Sequence, residues 1–224
     1  MSAFDPHKSD ELRRDHAIPA AAAGGGARQP LTRHHGRVAP LRRSHVDTDQ
    51  IIPKQFLKRI ERTGYGQFLF HDWMEDPDFE LRRPEAQGAA ILVAGRNFGC
   101  GSSREHAAWA LDDYGFRAIL APSFGDIFRT NAVKTGLAPI VLAPDELDRV
   151  TGALAERNEL TVDLEALEVR HPSGLALPFA FSAFERQCLL EGLDDIALTL
   201  RHADAIAAYE ERHPPRFDTV AVGT

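Results

Sequence analysis

The sequence predicts an α/β domain with a mainly parallel central sheet and a small antiparallel β unit. Three observations lead there. Apolar runs at 89–95, 116–122 and 137–142 are short and continuous, as buried strands are. Helical patterns separate them, one running to about Asp113 and one from Ser123 or Asp126 to Gly136. Strand–helix–strand–helix–strand is the signature of parallel strands joined by right-handed crossovers. Further on, Leu160–Leu164 and Glu168–Arg170 alternate apolar and polar residues, and a turn at His171–Gly174 leads into Leu175–Phe181. That pattern indicates antiparallel pairing.

Composition narrows the class. The 224 residues are 43% hydrophobic, enough for an ordinary core, and the net charge of −7 gives no reason to expect nucleic-acid binding. Cys100 and Cys188 are the only cysteines. Two distant cysteines make no disulfide framework and suit a reducing cytoplasm. They also exclude a three- or four-cysteine iron–sulfur site supplied by this chain alone. No apolar run approaches the roughly 20 residues that span a bilayer, so no membrane association is expected.

In chain order, residues 1–35 read as a flexible tail. They are polar and charged, carry Ala20–Gly26, and lack a secretory apolar segment. The folded domain is expected over 36–213, with a C-terminal tail at 214–224. Arg37–Leu41 is a short strand candidate. Asp47, Thr48 and Asp49 crowd a turn, where such side chains commonly bond neighbouring backbone. Lys54–Arg62 suits a short helix, and Phe68–Trp73 is an aromatic packing cluster. After the βαβαβ region a helix is expected from Pro144 to about Arg157. Ser182 begins another, broken at Gly192, with Cys188 in the core. A last helix is expected from about Asp194 or His202 to Glu211.

The chemistry concentrates in Asn97–His106, between the strand at 89–95 and the helix after it. Glycines at 99 and 101 let a ligand approach the main chain. Ser102 and Glu105 stand at capping-box spacing. A helix N-terminus attracts carboxylates and phosphates. Arg104 in the first turn opposes the helix dipole, so its use is an anion, gripped by two parallel hydrogen bonds. The competing reading is a plain strand–Gly–helix turn whose serines only cap. Ligands of parallel sheets sit at the C-terminal strand ends, where Gly99–Arg104 falls, and this favours the functional reading.

Val46–Leu57 and Asn97–Ala107 together closely resemble the small-subunit family of 3-isopropylmalate dehydratase. Arg62–Gly66, Ala121–Phe128, Gly192–Leu200 and Asp204–Glu210 fit the same family in register, over roughly residues 36–213. The family is related to the aconitases, and the resemblance implies their swivelling β/β/α domain. It implies a hydro-lyase of leucine biosynthesis, which dehydrates 2-isopropylmalate and rehydrates 2-isopropylmaleate to 3-isopropylmalate. It implies a partner, the large subunit, carrying a [4Fe–4S] cluster that acts as Lewis acid on the hydroxy-dicarboxylate substrate. Ser102 matches the catalytic base, Ser103 and Arg104 match substrate-carboxylate contacts, and Asp49 matches an orienting active-site aspartate. His45 departs from a common Asn, and Ala138 from a Leu. A related dehydratase acting on homoaconitate, citraconate or a methylated malate is the first alternative. A non-catalytic anion-binding module is the second, although position 104 is Arg where a nucleotide fingerprint would have Gly.

Overall fold

The computed structural model describes residues 28–58, 61 and 63–213. Its strands are β1 (Arg33–Leu41), β2 (Ile91–Ala94), β3 (Ala118–Ala121), β4 (Ala138–Val141), β5 (Glu159–Asp163), β6 (Glu168–Arg170) and β7 (Ala176–Pro178). Its helices are α1 (Thr48–Ile51), α2 (His71–Met74), α3 (Glu105–Tyr114), α4 (Asp126–Thr135), α5 (Pro144–Ala153), α6 (Ala183–Glu191), α7 (Asp195–Leu200) and α8 (Ala203–Arg212). The strands form one sheet in the order β4-β3-β2-β1-β5-β6-β7. β1 to β4 pair in parallel, whereas β5 to β7 pair antiparallel.

β1 joins the two regimes. Its Arg33–Arg37 half is antiparallel to β5, and its Val38–Leu41 half is parallel to β2. The antiparallel unit is therefore an extension of the central sheet. Side chains alternate across the sheet. Ala39, Leu41, Leu92, Ala94, Ile119 and Ala121 face the core that holds Ala107, Ala108 and Leu111 of α3. Val38, Ile91, Val93, Ala118 and Leu120 face the opposite core, with Leu147 and Val150 of α5 and Leu189 of α6. Each large aliphatic side chain so buried contributes about 1.5–3 kcal/mol.

Four boundaries differ from the sequence reading. β1 begins at Arg33, so a tail ending at residue 35 cuts into the sheet. Leu31 is also packed, and its N–H donates to the Leu189 carbonyl at 2.8 Å. The Arg33–Gly36 stretch is polar, and its place in the sheet comes from backbone pairing with β5, which hydrophobicity does not reveal. The remainder of both predicted tails, 1–27 and 214–224, lies outside the described residues. The helix expected at 54–62 is a 3₁₀ turn at Lys54–Lys58, with 59, 60 and 62 outside the described residues. The last helix is two, α7 and α8, separated at Arg201–His202. The fourth difference is the start of α3, which decides how the site is built.

Candidate active site

β2 ends at Ala94, at the C-terminal edge of the parallel strands, and the chain then turns irregularly until α3 begins at Glu105. The expected cap at Ser102 does not form. Arg104 is the N-cap residue, in extended conformation, and no side chain caps α3. The physical reason lies in the 47–49 turn. Thr48 donates its N–H to the Cys100 carbonyl at 2.9 Å and its hydroxyl to the Ser102 carbonyl at 2.8 Å. The Ser102 carbonyl is thereby held toward Thr48, and the Ala107 N–H is accepted instead by the Arg104 carbonyl, at 3.3 Å. A true capping box forms at Asp47 and Gln50. The Asp47 carboxylate accepts the Gln50 N–H at 2.8 Å, and the Gln50 side chain accepts the Asp47 N–H at 3.0 Å. The reading in which the serines serve only as caps therefore loses its basis.

The two turns are laced together. The Val46 carbonyl accepts the N–H groups of Gly99 at 2.7 Å and Cys100 at 3.2 Å. Gly99 has φ +73°, and a Cβ there would sit 2.2 Å from the Phe128 ring of α4. A Cβ on Gly125 would sit 2.5 Å from the Gly99 carbonyl. Only backbone fits where these turns meet.

Sequence-predicted residues converge on this surface. Arg104 Nη1 forms an ion pair with Asp49 Oδ1; the Arg104 side chain is 15% exposed and that of Asp49 51%. The contact is an ion pair without a hydrogen bond at Nη1, so the guanidinium retains donors that an anion can accept from. Ser102 and Ser103 are exposed beside it. Among the described residues, nothing accepts the N–H groups of Gly101, Ser102, Ser103 or Arg104. An exposed hydroxyl, several free N–H groups and an oriented guanidinium can bind a carboxylate and stabilise a developing oxyanion.

Two contributors escaped the sequence reading as site residues. Thr48 is buried and bonds across the turns, whereas the crowding of Asp47, Thr48 and Asp49 suggested only local bonding. His106 packs edge-on against Tyr65, ring centroids 5.2 Å apart, and beside Trp109 at 4.6 Å. Burial, with Arg104 adding to it and Glu105 opposing, holds the His106 pKa below the usual imidazole value, so the ring favours the neutral form. Cys100 is pushed up by burial and by Asp47, which disfavours the thiolate needed for nucleophilic or ligand chemistry. Among the described residues, no group of three or more His, Cys, Asp or Glu side chains is placed to hold a metal ion.

The parallel sheet, the glycine-laced turn and the Ser-Ser-Arg cluster define the class, an aconitase-type domain. The aconitase C-terminal domain family matches residues 28–145, and the C-terminal domain family of 3-isopropylmalate dehydratase small subunits matches 195–218. Curated relatives named 3-isopropylmalate dehydratase small subunit carry the similarity further. That of Koribacter versatilis is 56% identical over 189 residues, covering 80% of this chain and 96% of the relative. That of Geobacillus kaustophilus is 55% identical over 196 residues, covering 84% and 99%. A crystal structure of 3-isopropylmalate dehydratase (leuD) from Methanocaldococcus jannaschii aligns with a TM-score of 0.58 at 28% identity, covering 80% of this chain and 99% of that one. The chain belongs to the 3-isopropylmalate dehydratase small-subunit family.

Proposed function

We propose that the chain is the small subunit of a cytoplasmic 3-isopropylmalate dehydratase and supplies the proton-transfer half of its active site. The observation that carries this reading is the Arg104–Asp49 ion pair beside an uncapped, exposed Ser102. Dehydration of a hydroxy-dicarboxylate removes a proton from one carbon; the electrons of that C–H bond form the double bond as the neighbouring C–O bond breaks and its electron pair leaves with the hydroxyl, a departure that the large subunit's Lewis acid would assist. Ser102 Oγ takes the carbon-bound proton and returns it on the other carbon during rehydration. A neutral hydroxyl is a weak base. The free N–H groups of the 101–104 turn and the Arg104 charge lower the cost of alkoxide character at Oγ. Ser103 and Arg104 hold a substrate carboxylate, and Asp49 fixes the plane of the guanidinium.

The [4Fe–4S] cluster of this reading belongs to the large subunit. The residues of this chain do not fit it: its two cysteines are Cys100 and Cys188, and the thiol pKa of each is raised first by burial. Among the described residues, no helix is long and apolar enough to cross a membrane. Ser102 and Ser103 are exposed, and in this reading the large subunit covers them and the substrate.

The test is to purify the chain with and without its co-expressed large subunit and assay a panel of hydroxy-diacids. Activity on 2-isopropylmalate only in the assembled enzyme is the expected result. Preference for homoaconitate, citraconate or a methylated malate would replace the substrate. Activity of this chain alone, with an iron–sulfur absorption band, would overturn the division between subunits.

A further inference from the structure

We propose that His45 is a positioning residue for this reaction, acting with Arg96 and Asn97 as a clasp that sets the register of the two active-site turns. The proposal rests, for its catalytic consequence, on the reading of Ser102–Arg104 given above. His45 immediately precedes the Val46–Asp49 turn, and Arg96 and Asn97 immediately precede the Phe98–Arg104 turn. The His45 N–H donates to the Arg96 carbonyl at 2.8 Å. Arg96 Nε donates to His45 Nε2 at 3.1 Å, and His45 Nδ1 lies 3.0 Å from the Asn97 side-chain amide. Backbone and side chains therefore close the same gap.

The ring's bonding fixes its state. A guanidinium N–H only donates, so His45 Nε2 must accept. The atom facing Nδ1 at 3.0 Å is Asn97 Nδ2; turning the amide by half a turn exchanges it for Oδ1 in the same place, which then accepts an N–H from Nδ1. Both ring nitrogens are used, and the ring spans from one turn to the other.

The backbone at both anchors has a special conformation. His45 and Asn97 each have φ +57°, a region uncommon for residues other than glycine. Four non-glycine residues have positive φ among the described residues, and these two face one another across the clasp. The clasp follows the Gly95 N–H to Arg43 carbonyl hydrogen bond (3.0 Å) that continues the β1–β2 pairing, and it opens the lacing of the two turns themselves. The Val46–Gly99, Thr48–Cys100 and Thr48–Ser102 hydrogen bonds follow it directly and end at the proposed base. A shift at the clasp passes along these bonds to Ser102 and to the Asp49–Arg104 pair.

The exchange of backbone amides in the free, full-length chain and the kinetics of the assembled enzyme test this separately. His45→Gly is the informative variant, because glycine accepts φ +57° freely and only the side-chain clasp is lost. Amide exchange at Thr48, Gly99 and Cys100 is expected to accelerate by about tenfold or more, with β2 and β3 unchanged. kcat is expected to fall about ten- to a hundredfold, as for a displaced catalytic group, with KM altered less than about threefold. Arg96→Ala removes the Arg96 arm of the clasp without touching a positive-φ position and should move exchange and kcat in the same direction by a smaller factor. His45→Asn tolerates that φ and keeps a bond to Asn97, so it should recover kcat to within about fivefold of the parent. Parental exchange, or parental kcat with accelerated exchange, in both His45→Gly and Arg96→Ala would overturn the proposal. An assembled enzyme inactive on every hydroxy-diacid would refute the functional reading while the exchange data still decide whether the clasp exists.

Discussion

Replacing Gly99 by alanine tests the packing that brings the two turns together. Two costs add at this position. The residue has φ +73°, where a Cβ costs about 1–2 kcal/mol. The added methyl would also lie 2.2 Å from Phe128 Cγ and 2.5 Å from Cδ1. Phe128 cannot easily yield, being 2% exposed and packed edge-on against Phe98 and parallel to Phe124. Overfilling a closed core of this kind costs about 1–3 kcal/mol. Gly99→Ala should therefore destabilise the chain by about 2–5 kcal/mol, a large part of the ~5–15 kcal/mol typical of a domain. Urea unfolding of the free chain measures it. A double-mutant cycle with Phe128→Ala separates the two costs. Phe128→Ala alone should cost about 3–5 kcal/mol, and the pair should cost about 1–3 kcal/mol less than the sum, the φ cost remaining. A loss below about 1 kcal/mol for Gly99→Ala, or strict additivity with Phe128→Ala, would refute the close-approach argument.

Three further outcomes follow from how β1 is held. Asp163 is 1% exposed; its carboxylate accepts from Arg33 Nε and Nη2 and from the N–H groups of Glu165 and Ala166. Arg33 is largely exposed, so its ion pair contributes under about 1 kcal/mol and the N–H groups carry most of the effect. Asp163→Asn should cost about 2–4 kcal/mol by urea unfolding at neutral pH. The Ala166 N–H first, and Arg33 and the Glu165 N–H with it, hold the Asp163 pKa below its ordinary value against the opposing effect of burial. The folded value lies below the unfolded one, so this stabilisation is present above about pH 4 and is lost as pH falls through the folded value. Unfolding free energies measured from pH 7 downward should show an acid-side decline that is shallower in Asp163→Asn. Removing residues 1–27 should leave the melting temperature within about 2 °C of the parent, whereas removing 1–35 should cost about 3 kcal/mol or more through Leu31 and the first rungs of β1.

The sequence made the parallel half of the sheet legible. The runs Ile91–Ala94 and Ala118–Ala121 are buried on both faces, as is Ala138–Val141 except at Val141, and such strands announce themselves as unbroken apolar stretches. Gly115, Gly136 and Gly192 closed their helices as expected, because glycine at a helix end is a local signal. Arg33–Gly36 was invisible for the opposite reason. Its place depends on β5, more than a hundred residues away, and its side chains are polar. At the site, the motif marked Ser102, Arg104 and Asp49, and the ion pair between the last two is formed. The Ser102–Glu105 spacing suggested a cap that Thr48 prevents. Local spacing carries no information about a hydroxyl arriving from a turn 54 residues away. The His45 clasp was illegible likewise, since it depends on two turns meeting.

The most direct test of the account is Ser102→Ala in the assembled enzyme, with complex formation and cluster content first shown to match the parent. Ser102 does not cap α3, so its hydroxyl is free for chemistry and its removal should leave the melting temperature unchanged. The account predicts a fall in kcat of about 10²–10⁴-fold, the contribution expected of a general base, with KM nearly unchanged because Ser103 and Arg104 still hold the carboxylate. A variant that keeps more than about a tenth of the parental kcat, well inside that ~10²–10⁴-fold range, would contradict it and place the base elsewhere.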